Sequence, residues 1–259
     1  MSGRVFIESF SALRAEGITG PSGMRSWDSG QKGPQDVRRD QVLSKPYVNF
    51  GKLMLPDKLA FCAASAVLSN CEPANPETTA ITLGICAGSL STDLRYMESV
   101  LAGFPSPAIF SATLPSSAIA DVAIYFGIKG PNRVVAGNSG SGLAALELAC
   151  TILACGKASA ALWLCVNAVE PQDAGIPLLD ESVTAMCSAY ALLLACRRLP
   201  GGLGIGLSAS FAPAADKGAA SRDEVYFTQL FGLLRERKSG TMHAVSGDTT
   251  ATLSLAKEA

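Results

Sequence analysis

The 259-residue chain is short of histidine, of charge and of paired cysteines. Its one histidine, His243, excludes multi-histidine metal centres and leaves a single candidate for any imidazole base. Charged side chains make up 17% of the sequence, against roughly 25% in an average soluble domain. The formal net charge is -1, from 21 basic and 22 acidic residues. That balance argues against nucleic acid or an anionic membrane as the main partner. The eight cysteines include no C-x-x-C pair, which excludes zinc-ribbon and thioredoxin-type motifs. No stretch reaches the roughly 18 uncharged apolar residues of a membrane span. The N-terminus shows no charged segment followed by an apolar one, so no signal peptide is read there. Together these absences predict a soluble, cytoplasmic chain with reduced thiols and no metal or cofactor.

What is abundant is apolar surface, at 48% of residues. With so little charge to coat it, either much of the chain is buried within the fold or another protein covers part of its outside. Residues 71–190 carry 14 of the charged side chains and the other 139 residues carry 29, so the middle is the expected core. Most cysteines sit in apolar runs, as Cys165 does, and read as small core hydrophobes. Residues 17–46 are rich in Gly, Pro, Ser and charge and read as a loop excursion.

Strand-like runs are Arg4–Phe10, Thr79–Ala87, Arg133–Gly137, Ser159–Ala168, Thr184–Leu194 and Leu203–Phe211. Helical runs lie between them at Pro56–Ser69, Thr92–Ala102, Pro115–Phe126 and Ser141–Cys155. This alternation predicts a largely parallel sheet with helices on both faces. The interior of the last helix is polar only at Glu147 and Thr151. A helix apolar all round is expected to be buried all round, under a second layer from this chain or from a partner.

The strand–turn–helix segment Gly127-Ile-Lys-Gly-Pro-Asn-Arg-Val-Val-Ala-Gly-Asn-Ser-Gly-Ser-Gly142 admits three chemistries. Gly137, Gly140 and Gly142 have the spacing of a dinucleotide-binding turn, but no acid follows about 20 residues on, and Glu170 is late. Gly137-Asn-Ser-Gly-Ser141 is a near miss for a hydrolase nucleophile elbow, in which Ser139 would need His243 as base. The third is a condensing-enzyme turn, where the nucleophile stands at the N-terminus of a buried helix. The bland reading of Ser139 is a helix N-cap.

In that third reading the segment resembles the β-ketoacyl synthase family. Gly127-Ile-Lys-Gly-Pro-Asn132 with its strand and small-residue turn is similar to the family signature. Phe110–Phe126 and Gly51–Phe61 resemble the helices that precede it, and the likeness extends over roughly residues 1–211. The resemblance implies a nucleophilic cysteine seven residues after the Asn of Gly-Pro-Asn, yet Ser139 occupies that position. It also implies catalytic histidines and a lysine on a second half that this sequence does not carry. The fold it implies is α/β: a thiolase-like half-fold with a mixed, mostly parallel five-stranded sheet, helices on both faces and a buried central helix. Residues 1–211 would be the synthase-like domain and 212–259 a partly helical tail.

Within the family the sequence is most similar to chain-length factors that lack the cysteine, in particular the truncated partner of bacterial aryl-polyene ketosynthases. The resemblance then implies a non-catalytic subunit that pairs with an active β-ketoacyl synthase, meets acyl carrier protein through that complex, and shapes the acyl tunnel. The residues it places at the interface or tunnel are Arg133, Val134 and Val135 on the strand and Ile109, Phe110 and Thr113 on the preceding loop. A free-standing serine esterase or thioesterase using Ser139 and an NAD(P)-binding module remain the alternatives.

Overall fold

The computed structural model describes residues 5–137, 140–173, 177–178, 181–182, 186–213, 223–246 and 249–257. The chain opens with β1 (Val5–Arg14), β2 (Gly17–Gly20) and β3 (Gly23–Ser26), then a short α1 (Arg39–Val42). Next come α2 (Leu55–Leu68), β4 (Thr79–Cys86), α3 (Leu90–Leu101), α4 (Pro107–Ser111) and α5 (Ser117–Phe126). They are followed by β5 (Asn132–Gly137), α6 (Ser141–Ala154), β6 (Ala160–Val169), and the two-residue strands β7 (Pro177–Leu178) and β8 (Glu181–Ser182). The remainder is β9 (Met186–Ala195), β10 (Ile205–Pro213), α7 (Asp223–Glu236), β11 (Gly240–Ser246) and β12 (Thr249–Lys257).

Local chemistry sets the helix ends. Pro56 stands in the first turn of α2, where its missing N–H costs nothing, and Asp57 follows it. α5 stops at Gly127, whose φ of 66° is the left-handed conformation that glycine adopts freely.

One ten-stranded sheet organises the chain, in the order β11-β12-β10-β1-β9-β6-β4-β5, with the β2–β3 hairpin appended to β1. The sheet is therefore larger than the five strands expected, and it is less parallel. Among its pairings only β4–β5 and β4–β6 are parallel. The physical reason is the connections. Helical crossovers join β4 to β5 and β5 to β6, whereas β6 reaches β9 with no crossover helix among the described residues, and strands so linked pair antiparallel. The α/β class and the helices on both faces are as expected.

Two cores lie on the two faces. Along β6, Ala161, Trp163 and Cys165 point to one side and Leu162, Leu164 and Val166 to the other. Both faces are covered, so the strand reads as an unbroken apolar run. On one side α6 and α7 pack; on the other, α2 and α5. α7 supplies Tyr226, Phe227, Leu230, Phe231 and Leu234 to the first core. Residues 17–26, expected within a loop excursion, instead form the β2–β3 hairpin. The segment after 211, expected as a partly helical tail, adds β12 to β10 along nine register pairs as well as the helix α7.

α6 is not buried all round. Its sheet-facing side is closed by Leu143, Leu146, Ala149 and Leu153, while Ala144, Thr151 and Ala154 stay exposed. The stripe opposite the sheet is thus small and nearly uncharged rather than covered by a second layer.

Candidate functional site

The residues singled out in the sequence fall on β5, at the start of α6, and on or just after α4. β5 is the last strand of the sheet, and β4 is its one neighbour among the described residues. The Ile81 amide donates to the Pro131 carbonyl at 2.9 Å and the Ala87 amide to the Gly137 carbonyl at 3.0 Å. Parallel ladders alternate, so the backbone groups of Asn132, Val134 and Ala136 face the open edge. Val134 is half-buried against one core and Val135 against the other. Arg133 is exposed, and its guanidinium donates to the Asn132 carbonyl at 2.8 Å.

The turn after β5 leads into α6, whose N-cap is Gly140, so the capping position expected of Ser139 belongs to a residue without a side chain. Ser139 lies outside the described residues. The start of α6 presses directly on β4. A Cβ at Gly84 would sit 2.3 Å from the Ser141 carbonyl oxygen and 2.5 Å from the Gly142 Cα. Trp163 Nε1 donates to the Gly142 carbonyl at 3.0 Å and fixes that turn from the core side.

The one histidine does not reach the start of α6. His243 is on β11, at the other end of the sheet, with Nδ1 at 3.0 Å from the Thr252 hydroxyl. Seven strand steps separate β11 from β5, and at about 4.8 Å each they place the two roughly 30 Å apart. Burial pushes the Cys62 and Cys150 thiols up to about 12, so neither is a thiolate at neutral pH. Among the described residues no group of three or more His, Cys, Asp or Glu side chains could hold a metal ion. No described helix is long and apolar enough to cross a membrane.

Of the loop residues, Ile109 and Phe110 are on α4, a single turn standing on α3, and Thr113 lies just beyond it. Phe110 is 59% exposed, and its ring lies 5.2 Å from that of Tyr96. It is therefore not part of the chain's own core. Ile109 and Thr113 are half-buried beside it. Leu101 and Phe104 are exposed at 82% and 83%, so the end of α3 and the segment after it carry uncovered apolar surface that the sequence reading did not single out.

Behind α4 lies an open surface cleft of about 470 Å³. Ala108, Ser111 and Ala112 form its α4 wall, and Asp57, Ala120 and Asp121 stand across from them. The Ser117 hydroxyl donates to Asp57 at 2.8 Å, and the Tyr47 hydroxyl donates to Asp121. Burial raises Asp57 to about 6, with nearby Asp121 adding to the rise and the Ser117 hydrogen bond opposing it. This carboxylate pair was also missed; in sequence Asp57 reads only as a helix first-turn acid.

This sheet, with α6 packed on β4, β5 and β6, has the thiolase-like ketosynthase fold. Residues 59–178, just under half of the chain, match the family described as β-ketoacyl synthase, N-terminal domain. No curated protein matches the chain. Among solved structures it is similar to a ketosynthase (ApeO) in complex with its chain length factor (ApeC) from Xenorhabdus doucetiae. That likeness has 14% identity, 97% of this chain and 99% of that chain covered, and a TM-score of 0.67. The ishigamide ketosynthase/chain length factor gives 16% identity, coverage of 98% and 99%, and a TM-score of 0.74. A type II polyketide acyl-carrier protein in complex with its ketosynthase (AntDE:AntF) gives 11% identity, full coverage of both chains and a TM-score of 0.69. At these identities the likenesses speak for the fold.

Proposed function

We propose that this chain is a non-catalytic, ketosynthase-like subunit that pairs with an active β-ketoacyl synthase and shapes its acyl tunnel in polyene, polyketide or fatty-acid-type biosynthesis. The observation that carries the reading is the open edge of β5. An unpaired edge strand invites pairing with another chain, and the exposed apolar side chains Leu101, Phe104 and Phe110 add uncovered surface of the kind a partner buries. Position 139 supports the same reading, since it holds serine where the family has its nucleophilic cysteine. So does the company the fold keeps: solved relatives of nearly the same extent are described as ketosynthase and chain-length-factor complexes. In this role the acyl carrier protein is met through the complex.

The esterase reading loses its base, because His243 stands on the far edge of the sheet. The dinucleotide reading loses its geometry, because β4 lies between β5 and β6, so Glu170 is not on the strand next to the glycine turn.

The test is co-purification with a full-length ketosynthase encoded in the same genome. Val134→Pro removes the outward amide at the open edge and leaves the ladder to β4 intact. The expected outcome is loss of the complex with little change in the melting temperature of the isolated chain. A variant that still co-elutes with the ketosynthase refutes pairing through β5.

A further inference from the structure

We infer that β11 is a pairing edge for a second copy of this chain, the two strands lying antiparallel about His243. This does not rest on the pairing through β5 proposed above.

Among the described residues β3, β5 and β11 each have one neighbouring strand in the main sheet. Such an edge presents unpaired backbone groups, and proteins that must stay apart blunt it with short strands, charge, proline or bulges. β3 is four residues long and carries Arg25. β5 carries Arg133 and follows Pro131. β11 has none of these devices. Its seven residues, Gly-Thr-Met-His-Ala-Val-Ser, include no Lys, Arg, Asp, Glu or Pro. They pair with β12 in unbroken register from Gly240↔Leu255 to Ser246↔Thr249, so no bulge turns the edge away. Alternate residues of such a strand turn their N–H and C=O groups to the open side.

The side chains leave that side clear. The Thr241 and Ser254 hydroxyls lie 3.0 Å apart, and His243 Nδ1 lies 3.0 Å from the Thr252 hydroxyl. Both contacts draw the edge side chains toward β12. On the opposite face Met242 is buried in the core that α7 completes. The strand is also its own complement. Full overlap of two antiparallel copies of Gly240–Ser246 puts the two-fold axis at His243, with Thr241 opposite Val245 and Met242 opposite Ala244. No like charges meet in that register, and paired residues share a face. The contact is isologous and closes at two copies. The net charge of the whole chain is -1, too small to hold two copies apart. β5 is at the other end of the sheet, so a chain joined through β11 keeps that edge free.

Sedimentation of the isolated full chain over a concentration series should show a monomer–dimer equilibrium. The two His243 side chains then stand roughly 5 Å apart at Cβ. His243→Lys and His243→Asp should each sediment at the single-chain mass where the parent is dimeric, with unchanged circular dichroism. Mixing the two variants should restore the dimer, because opposite charges then meet; a misfolded variant could not be rescued this way. Val134→Pro, which alters the β5 edge, should leave the dimer intact. A parent that is monomeric throughout, single variants that still dimerise, a mixture that stays monomeric, or a dimer lost in Val134→Pro overturns the inference. So does loss of ketosynthase binding in the His243 variants, which would give β11 to the ketosynthase instead.

Discussion

Replacing Asp57 by asparagine should make the fold more stable at neutral pH. Asp57 is 5% exposed in the first turn of α2. Burial is the largest influence on its carboxyl and raises it from 3.8 to about 6. A raised folded-state value means that the protonated acid suits the fold better than the carboxylate. The acid's stability is complete below pH 4 and is lost as pH rises through about 6. At ~1.4 kcal/mol per pH unit, the ionised group withholds about 3 kcal/mol above that point. Asparagine keeps an oxygen for the Ser117 hydroxyl but offers one acceptor where the carboxylate has two, at a cost of about 1 kcal/mol. The net gain expected at pH 8 is about 1–3 kcal/mol, vanishing or reversing near pH 4. Urea unfolding of both proteins across pH 4–8 reads the difference, and subtraction cancels the titrating groups that are remote from Asp57. A variant less stable than the parent at pH 8, or a difference independent of pH, would refute the claim that desolvation dominates at this site.

Two further outcomes follow from the same geometry. Gly84→Ala places a methyl group within 2.3–2.5 Å of three backbone atoms of α6. No rotamer can relieve that, so stability should fall by about 1–3 kcal/mol or more, measured by chemical denaturation. Phe110→Ala removes a ring that the chain's own core does not use. The isolated chain should melt within a few degrees of the parent, while the complex makes longer products by mass spectrometry. A large loss of stability with unchanged products would return Phe110 to the core.

The parts of the fold legible in the sequence were those with local signals. Thr79–Cys86 and Ala160–Val169 are apolar runs bounded by turns, and Gly127 and Gly156 mark helix stops. The sheet's extent was not legible in the same way, since pairing is non-local. The strand Thr249–Lys257 does carry a period-2 signal, with Ala251, Leu253 and Leu255 buried between Thr252 and Ser254, and so could have been found. α7 likewise shows Tyr226, Phe227, Leu230, Phe231 and Leu234 at helical spacing, although its last residues read as a solvated helix end. The edge position of β5 and the cleft behind α4 have no sequence signature. Both depend on which surfaces the rest of the chain leaves uncovered.

The place of β1 in the sheet bears on how the chain is made. It lies between β9 and β10, and Phe6 pairs with Ala195 and Val5 with Leu207. On the ribosome this strand emerges well before its neighbours β9 and β10, which follow it only after the segment from β2 to β8. Until then a strand that is buried along nearly its whole length in the finished fold lacks its ladders to β9 and β10, and Phe10 lacks Phe231 of α7, the ring it meets in the finished core. Such long-range closure makes folding slow and leaves nascent chains prone to aggregation. Recombinant yield should therefore respond to slower translation, lower temperature or added chaperones more than the equilibrium stability of the finished protein would indicate.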